Sequence, residues 1–264
     1  MSKTPIKYLH LYPGQGGVQI FPQTVKLNND TEHVVNAAGT SSCITTVGVF
    51  MPMDDKTNKY FVAHIVAIVG APHDMRAWCP AVLHPTENLV SDALKDAVIT
   101  ALKEDPMIKQ HYQKVAKAAR EKHGIIVCPA VTLGKDGPDT KYTTGHDIIR
   151  AIREFFEVPA LTISGGHGFC REGGEDGEVH LFGWKSGDNL TSMDFRPMLD
   201  GRARPGEKQP ETYGWRPCNE DERGENSGRG IKQFAEVPRG PWSFVYRDGK
   251  WQRNDAALFE DQEA

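Results

Sequence analysis

The chain has 264 residues, enough for one large domain or a domain with a sizeable appendage, and enough to bury a core without disulfide or metal staples. Hydrophobic residues make up 39% and charged residues 25%, a globular balance that argues against wholesale disorder. With 31 basic against 35 acidic residues the formal charge is −4, so there is no electrostatic case for nucleic acid or an anionic membrane as a partner.

The longest apolar run, Tyr60–Ala71, is too short to span a bilayer and contains His64. The opening segment MSKTPIKYLHLYPGQGG has no apolar h-region, which speaks against a secretory signal. The five cysteines, Cys43, Cys79, Cys128, Cys170 and Cys218, are an odd number, widely spaced and free of any CxxC. That pattern fits reduced thiols rather than a disulfide framework or a structural zinc. The expected location is cytoplasmic, an effector delivered without a classical signal being the alternative.

VQIFPQTVKL, ending at Leu27, reads as an extended strand with an edge or bulge at Pro22. Asn28, Asn29 and Asp30 mark a turn. The segment HVVN at residues 33–36 leads into the small residues Ala37 to Ser42, and Cys43 follows. Ile44–Met51 is β-branched enough for a buried strand. The polar stretch 54–58 turns the chain into KYFVAHIVAIV at 59–69, a second buried strand, and the two predict a hairpin.

Residues 88–122 have helical spacing, broken at Pro106 and stopped at Gly124. Ile125–Val131 reads as a strand, and 134–145 as a polar loop. His146–Phe156 is an amphipathic helix. A short strand, PALTI at 159–163, enters a Gly-rich turn, Ser164 to Gly168, and Glu178–Trp184 is another strand. Residues 202–230 are rich in Gly, Pro, Glu and Arg, the composition of a long surface loop or linker. Asp248-Gly249 between Trp242–Tyr246 and Trp251 is a strong hairpin signal. Together these elements predict a layered α/β (α+β) fold, a mostly antiparallel β-sandwich or sheet flanked by helices.

Cys43 and His64 are the candidate chemistry. A run of small residues before Cys43 lets backbone N–H groups converge on the thiol, and His64 follows on the neighbouring strand, where register can bring the two side chains to one face. A thiolate beside an imidazole is an activated nucleophile. Weighed against it, free Cys is commonly buried and a histidine on an apolar strand is commonly only a hydrogen-bonded core residue.

HVVNAAGTSSCITTVGVFMP resembles the nucleophile region of the chemoreceptor glutamine deamidases, the CheD family: a strand, a small-residue Ser-Cys turn, then a Val-rich strand. KYFVAHIVAI resembles the family's His-bearing strand, and HDIIRAIREFFEVPALTISGGHGFCREGGEDGEVHLFGW its C-terminal half. The resemblance covers about residues 19–71 and 125–185, and the same fold occurs in the cytotoxic necrotizing factor toxin domains. It implies a deamidase-like domain over 1–200 with an insertion at 72–124, followed by a loop and hairpin over 201–264 that packs back on the domain.

Carried over, Cys43 is the nucleophile and His64 the general base. The family's orienting threonine falls at Ala37, so the third role passes to a carbonyl near Asn36–Ala38 or to Thr40. The oxyanion donors would be the amides of Ser42 and Cys43, and the turn Gly165-Gly166-His167 would line the cleft. The implied activity is deamidation of a glutamine, on a protein or a small amide, through a thioester, with no cofactor or metal. The alternative is a non-catalytic binding or scaffold protein that keeps the fold, or another Cys–His amide hydrolase.

The remaining signals are weaker. The turn 164–168 reads as a tight turn needing glycine at positive φ rather than as an anion nest or a metal site with His180. His73, Asp74, Cys79 and His84 are irregularly spaced for a metal. Gly14 to Gly17 precedes a strand, which is the wrong context for a phosphate loop, and no GxSxG elbow is present.

Overall fold

The computed structural model describes residues 6–11, 13–26, 32–41, 43, 46–54, 58–69, 82–83, 88–129, 131, 142–174, 177–182, 216–217, 231–234 and 242–253. The expectations for His73, Asp74, Cys79, His84, Cys218, the amide of Ser42 and most of 201–230 fall outside them.

In chain order the strands are β1 (Ile6–Leu11), β2 (Gly16–Ile20), β3 (Gln23–Lys26), β4 (Glu32–Val35), β5 (Ala37–Thr40), β6 (Val47–Pro52), β7 (Lys59–Val69), β8 (Val82–Leu83) and β9 (Ile125–Val127). They continue as β10 (Tyr142–Thr143), β11 (Ile163–Ser164), β12 (Gly168–Glu172), β13 (Val179–Phe182), β14 (Arg216–Pro217), β15 (Ile231–Phe234), β16 (Ser243–Arg247) and β17 (Lys250–Arg253). The helices are α1 (Asn88–Glu104), α2 (Pro106–His111), α3 (Lys117–His123) and α4 (Thr144–Phe155).

Two sheets face each other, with antiparallel pairings in the majority. One has the order β13-β12-β5-β1-β15-β14; the other runs β11-β9-β6-β7-β16-β17, with β2 also on β7. Strand alternation sorts the side chains into layers. Leu9, Leu11, Ala38, Phe50, Tyr60, Val62, Ile125, Val127 and Phe169 meet between the sheets, together with Cys43. On the other face of the second sheet, Val47, Val49, Met51, Phe61, Ala63 and Ile65 pack against Leu94, Val98 and Leu102 of α1 and Ile148 and Ile152 of α4. The order of layers is therefore helices, sheet, sheet. Each large side chain so buried contributes roughly 1.5–3 kcal/mol. Among the described residues no helix is long and apolar enough to cross a membrane.

The β6–β7 hairpin forms as expected, with Gly48 opposite His64. So does the β16–β17 hairpin, with Asp248 and Gly249 both at positive φ as a primed turn demands. Several elements differ from the sequence reading. The extended run up to Leu27 is two strands broken at Phe21-Pro22, where the peptide bond is cis. The small residues 37–40 are a strand buried in the first sheet between β1 and β12. Gly168, read as the end of a turn, instead opens β12, whose remaining residues 169–172 the sequence leaves without an element.

The helical stretch after Pro106 breaks into α2, a 3-10 turn at Tyr112–Lys114 and α3. Asp105 caps α2, accepting from the amides of Met107 and Ile108. Within residues 72–124, α1 and α2 supply part of the main core through Leu94, Val98, Leu102 and Ile108. The C-terminal hairpin enters the second sheet, where β16 pairs in parallel with β7.

Candidate active site

His64 sits on β7 with the parity of Tyr60 and Val62, so its side chain enters the space between the sheets. Its backbone is held where β2 gives way to β16 along the same edge of β7. The His64 amide donates to the Gln15 carbonyl (2.9 Å), and the Gly14 amide donates to the His64 carbonyl (2.8 Å). The Gly14–Gly17 segment is thus a strand-end clamp on the histidine.

Thr40 has the parity of Ala38 on β5 and also faces inward. Its hydroxyl lies 2.7 Å from His64 Nδ1 and donates to the Leu11 carbonyl at 2.7 Å. A threonine has a single hydroxyl proton, and the carbonyl can only accept. The network therefore assigns the Thr40 oxygen as acceptor and His64 Nδ1 as N–H, leaving a lone pair on Nε2. That lone pair faces the Thr46 hydroxyl at 2.7 Å and Cys43 Sγ at 3.7 Å, with Sγ 4.0 Å from Nδ1.

Cys43 and His64 are both fully buried. Burial pushes the Cys43 thiol well above its ordinary value, and Cys128 nearby adds to this; the neighbouring hydroxyls of Thr40 and Thr46 and the Gly48 backbone act the other way but do not outweigh it. Burial pulls His64 down to about 4, against a smaller opposing effect of the Leu11 carbonyl. In this state the pair is a neutral thiol beside a neutral imidazole.

The remaining candidates are placed as follows. Ala37 points to the outer face of the first sheet, with Tyr8, Cys170 and Phe182, because it is one residue out of phase with Ala38 and Thr40. Of the two residues weighed for the third role, Thr40 is the one brought to His64. The Cys43 amide, expected as an oxyanion donor, donates instead to the His167 carbonyl at 2.8 Å. His167 is thereby joined to the site through its backbone, while its ring lies against Phe182, 6.0 Å between centroids. Gly166 is held by Ser164 Oγ at 3.1 Å, and Gly165 is exposed.

Gly166 and Gly168 do not adopt positive φ. What Gly168 supplies is close approach: a Cβ there would strike the Thr40 carbonyl and come within 2.7 Å of Ser41 Cα. Sequence reasoning missed Thr46 and the Leu11 carbonyl. Thr46 lies three residues after Cys43, a spacing with no fixed meaning in an irregular segment; Leu11 acts through its backbone, which no side-chain pattern reveals.

Among the described residues, Glu172, Glu178 and His180 could hold a metal ion by spacing alone, with candidate ligand atoms within 4.8 Å of one another. Glu172 and His180 project from the outer face of β12–β13, away from His64, and Glu178 Oε2 lies 3.5 Å from His180 Nε2.

The Thr40 hydroxyl satisfies two buried groups at once, so Thr40→Val is expected to cost about 1–2 kcal/mol in urea unfolding. Thr40→Ser, which keeps the hydroxyl, should cost clearly less. Equal losses for the two variants would mean that the methyl group, not the hydrogen bonds, matters.

No family model matches the chain, and neither curated proteins nor solved structures match it.

Proposed function

We propose that this protein is a cysteine-dependent amidohydrolase of the glutamine deamidase type, acting on a protein glutamine or a small amide through Cys43 and His64. The observation that carries the reading is the Thr40–His64–Cys43 arrangement: a hydroxyl anchored on the Leu11 carbonyl holds Nδ1, and Nε2, which the Thr46 hydroxyl meets at 2.7 Å, lies 3.7 Å from the thiol. Resemblance to the CheD and cytotoxic necrotizing factor deamidases supports the same assignment, with Thr40 taking the orienting role that those families' pattern puts at Ala37.

In the proposed reaction the Sγ–H proton passes to His64 Nε2 and Cys43 attacks the carboxamide carbon. The C–N bond breaks as Nε2 returns the proton to departing ammonia. Nε2 then takes a proton from water, which attacks the thioester to release glutamate and the thiol. A nucleophile with a raised pKa makes the first transfer costly, so substrate must open the site and displace Thr46 from Nε2.

A second reading has its own support. Full burial of both side chains and a neutral pair suit a non-catalytic binding or scaffold protein whose Cys43 and His64 merely fill the core. Two measurements decide. Cys43, Cys128 and Cys170 are all buried, so static exposure does not rank them. Limited iodoacetamide labelling across pH 5–9, read per cysteine by mass spectrometry, is expected to modify Cys43 ahead of the other two and to slow in His64→Gln. Ammonia release from a blocked glutaminyl-glycine dipeptide is expected with the wild type and absent with Cys43→Ala. If Cys43 labels no faster than Cys128 and Cys170, and no ammonia appears, the scaffold reading stands.

A further inference from the structure

The two sheets do not end together at the β9–β11 side. Val179 and Leu181 on β13 pair with Arg171 and Phe169 on β12, whose side chains are buried between the sheets. Cross-strand partners point to the same face, so Val179 and Leu181 also point inward. Yet they are 47% and 44% exposed; among the described residues β11 is the last strand of the facing sheet on this side. A cleft of about 530 Å³ is left there, with Lys122, His123 and Gly124 at the end of α3 and Ser164 of β11 on the far wall. Its size is that of an ordinary ligand site.

The described residues lining the cleft include three basic side chains, Lys122, His123 and Arg171, and no acidic one. Arg171 is the unusual member. It is 2% exposed, its Nη1 and Nη2 donate to the carbonyls of Glu172 (2.8 Å) and Gly174 (3.2 Å), and its Nε has no hydrogen-bond partner. Among the described residues no carboxylate lies within ion-pair distance of it, although a buried charge is ordinarily paired. Its guanidinium carbon stands 6.0 Å from the Phe50 ring centre. β11 and β13, the strands beside the cleft, are each the outermost strand of their sheet among the described residues.

From this juxtaposition we infer that the cleft receives an extended acidic peptide. The peptide backbone lies along an outermost strand, aliphatic side chains cover Val179 and Leu181, and a carboxylate supplies Arg171 with the close ion-pair partner that it does not have among the described residues, with Lys122 at the rim. The turn between β11 and β12 joins this cleft to the dyad: Ser164 lines the cleft, and the His167 carbonyl accepts from the Cys43 amide. The inference rests on the amidohydrolase reading for what is done to the peptide, since it names an acidic segment as what flanks the reacting glutamine. Binding does not need that reading.

The test uses two fluorescein-labelled heptapeptides, one of alternating valine and glutamate and one with glutamine at each glutamate, read by anisotropy on the full chain. The glutamate peptide is expected to bind about tenfold more tightly, the effect of one charge-assisted contact. The advantage should shrink in high salt. Cys43→Ala should bind as the wild type does. Lys122→Glu and Leu181→Asp, both at exposed positions, should each weaken binding about fivefold or more; they avoid the folding risk of replacing Arg171. Equal affinity for the two peptides, binding by neither, or indifference to both substitutions overturns the cleft assignment. Binding that meets expectation in a protein that releases no ammonia overturns the amidohydrolase reading instead.

Discussion

Gly39→Ala is expected to destabilise the protein by about 3 kcal/mol or more, the upper end for a forced steric overlap. Gly39 sits in β5 with His10 of β1 on one side and Cys170 of β12 on the other. A Cβ at this position would strike the Phe169 carbonyl oxygen and lie 2.8 Å from Cys170 Cα. Both obstacles are backbone, so no rotamer change relieves them and the two strands must part. In a protein of this size the loss corresponds to a fall of roughly 10 °C in Tm. The displacement would also reach the next residue, Thr40, and through it His64. Calorimetry is the check, and a Tm within about 2 °C of the wild type would contradict the packing of β5 against β12.

Acidification from pH 7 to pH 4 is expected to remove about 3 kcal/mol of stability through His64 alone. An unfolded histidine titrates near 6.5, whereas burial holds His64 at about 4 in the fold. At pH 7 the residue is neutral in the fold and mostly neutral in the unfolded chain, so it contributes little slope. Between 6.5 and 4 the unfolded chain binds a proton that the folded one refuses, so each pH unit costs about 1.4 kcal/mol, and below 4 the slope ends. His111, lowered by burial and by Lys59 and Lys114, adds in the same direction. Urea unfolding at several pH values, on the wild type and on His64→Gln, isolates the His64 share as a difference in slope. Should the variant fail to fold, the ring proton resonances of His64 report its midpoint directly in the wild type. A midpoint near 6.5 would show that water reaches the ring and that the pair is open.

What the sequence made legible is what is local. The β6–β7 hairpin needed only two β-branched runs and a polar turn, and its register carried Cys43 and His64 toward each other. The Asp248-Gly249 turn and the apolar stripe of α4 are equally self-contained. The small-residue strand β5 was hidden because Ala, Ala, Gly and Thr have little β preference; their extended state comes from β1 and β12 on either side, which allow no larger side chain at Gly39. β12 was hidden for the same reason, since glycines punctuate it at both ends. Which of the two candidates meets His64 turned on strand parity: Ala37 and Thr40 are both near Cys43 in sequence, but only Thr40 shares the phase of Ala38. Arg171 drew no notice because its meaning lies in its burial with no carboxylate within ion-pair distance among the described residues, which only coordinates display.

Both sheets depend on segments far along the chain for their closure. β15, at residues 231–234, lies in parallel beside β1, and β16, at 243–247, lies in parallel beside the second half of β7. A growing chain leaving the ribosome therefore presents β1 and the second half of β7 with unclaimed edges until most of the polypeptide has been made, although the Gly14–Gly17 clamp on His64 needs only the first 64 residues. Pairings of such high sequence separation carry a large loop-closure cost that must be met before the contacts return it, so folding is set by topology to be slow and late. Cys43 is packed by residues no later than Phe169, so a chain caught short of these pairings carries open sheet edges on β1 and β7 while the surroundings of the thiol have already been made.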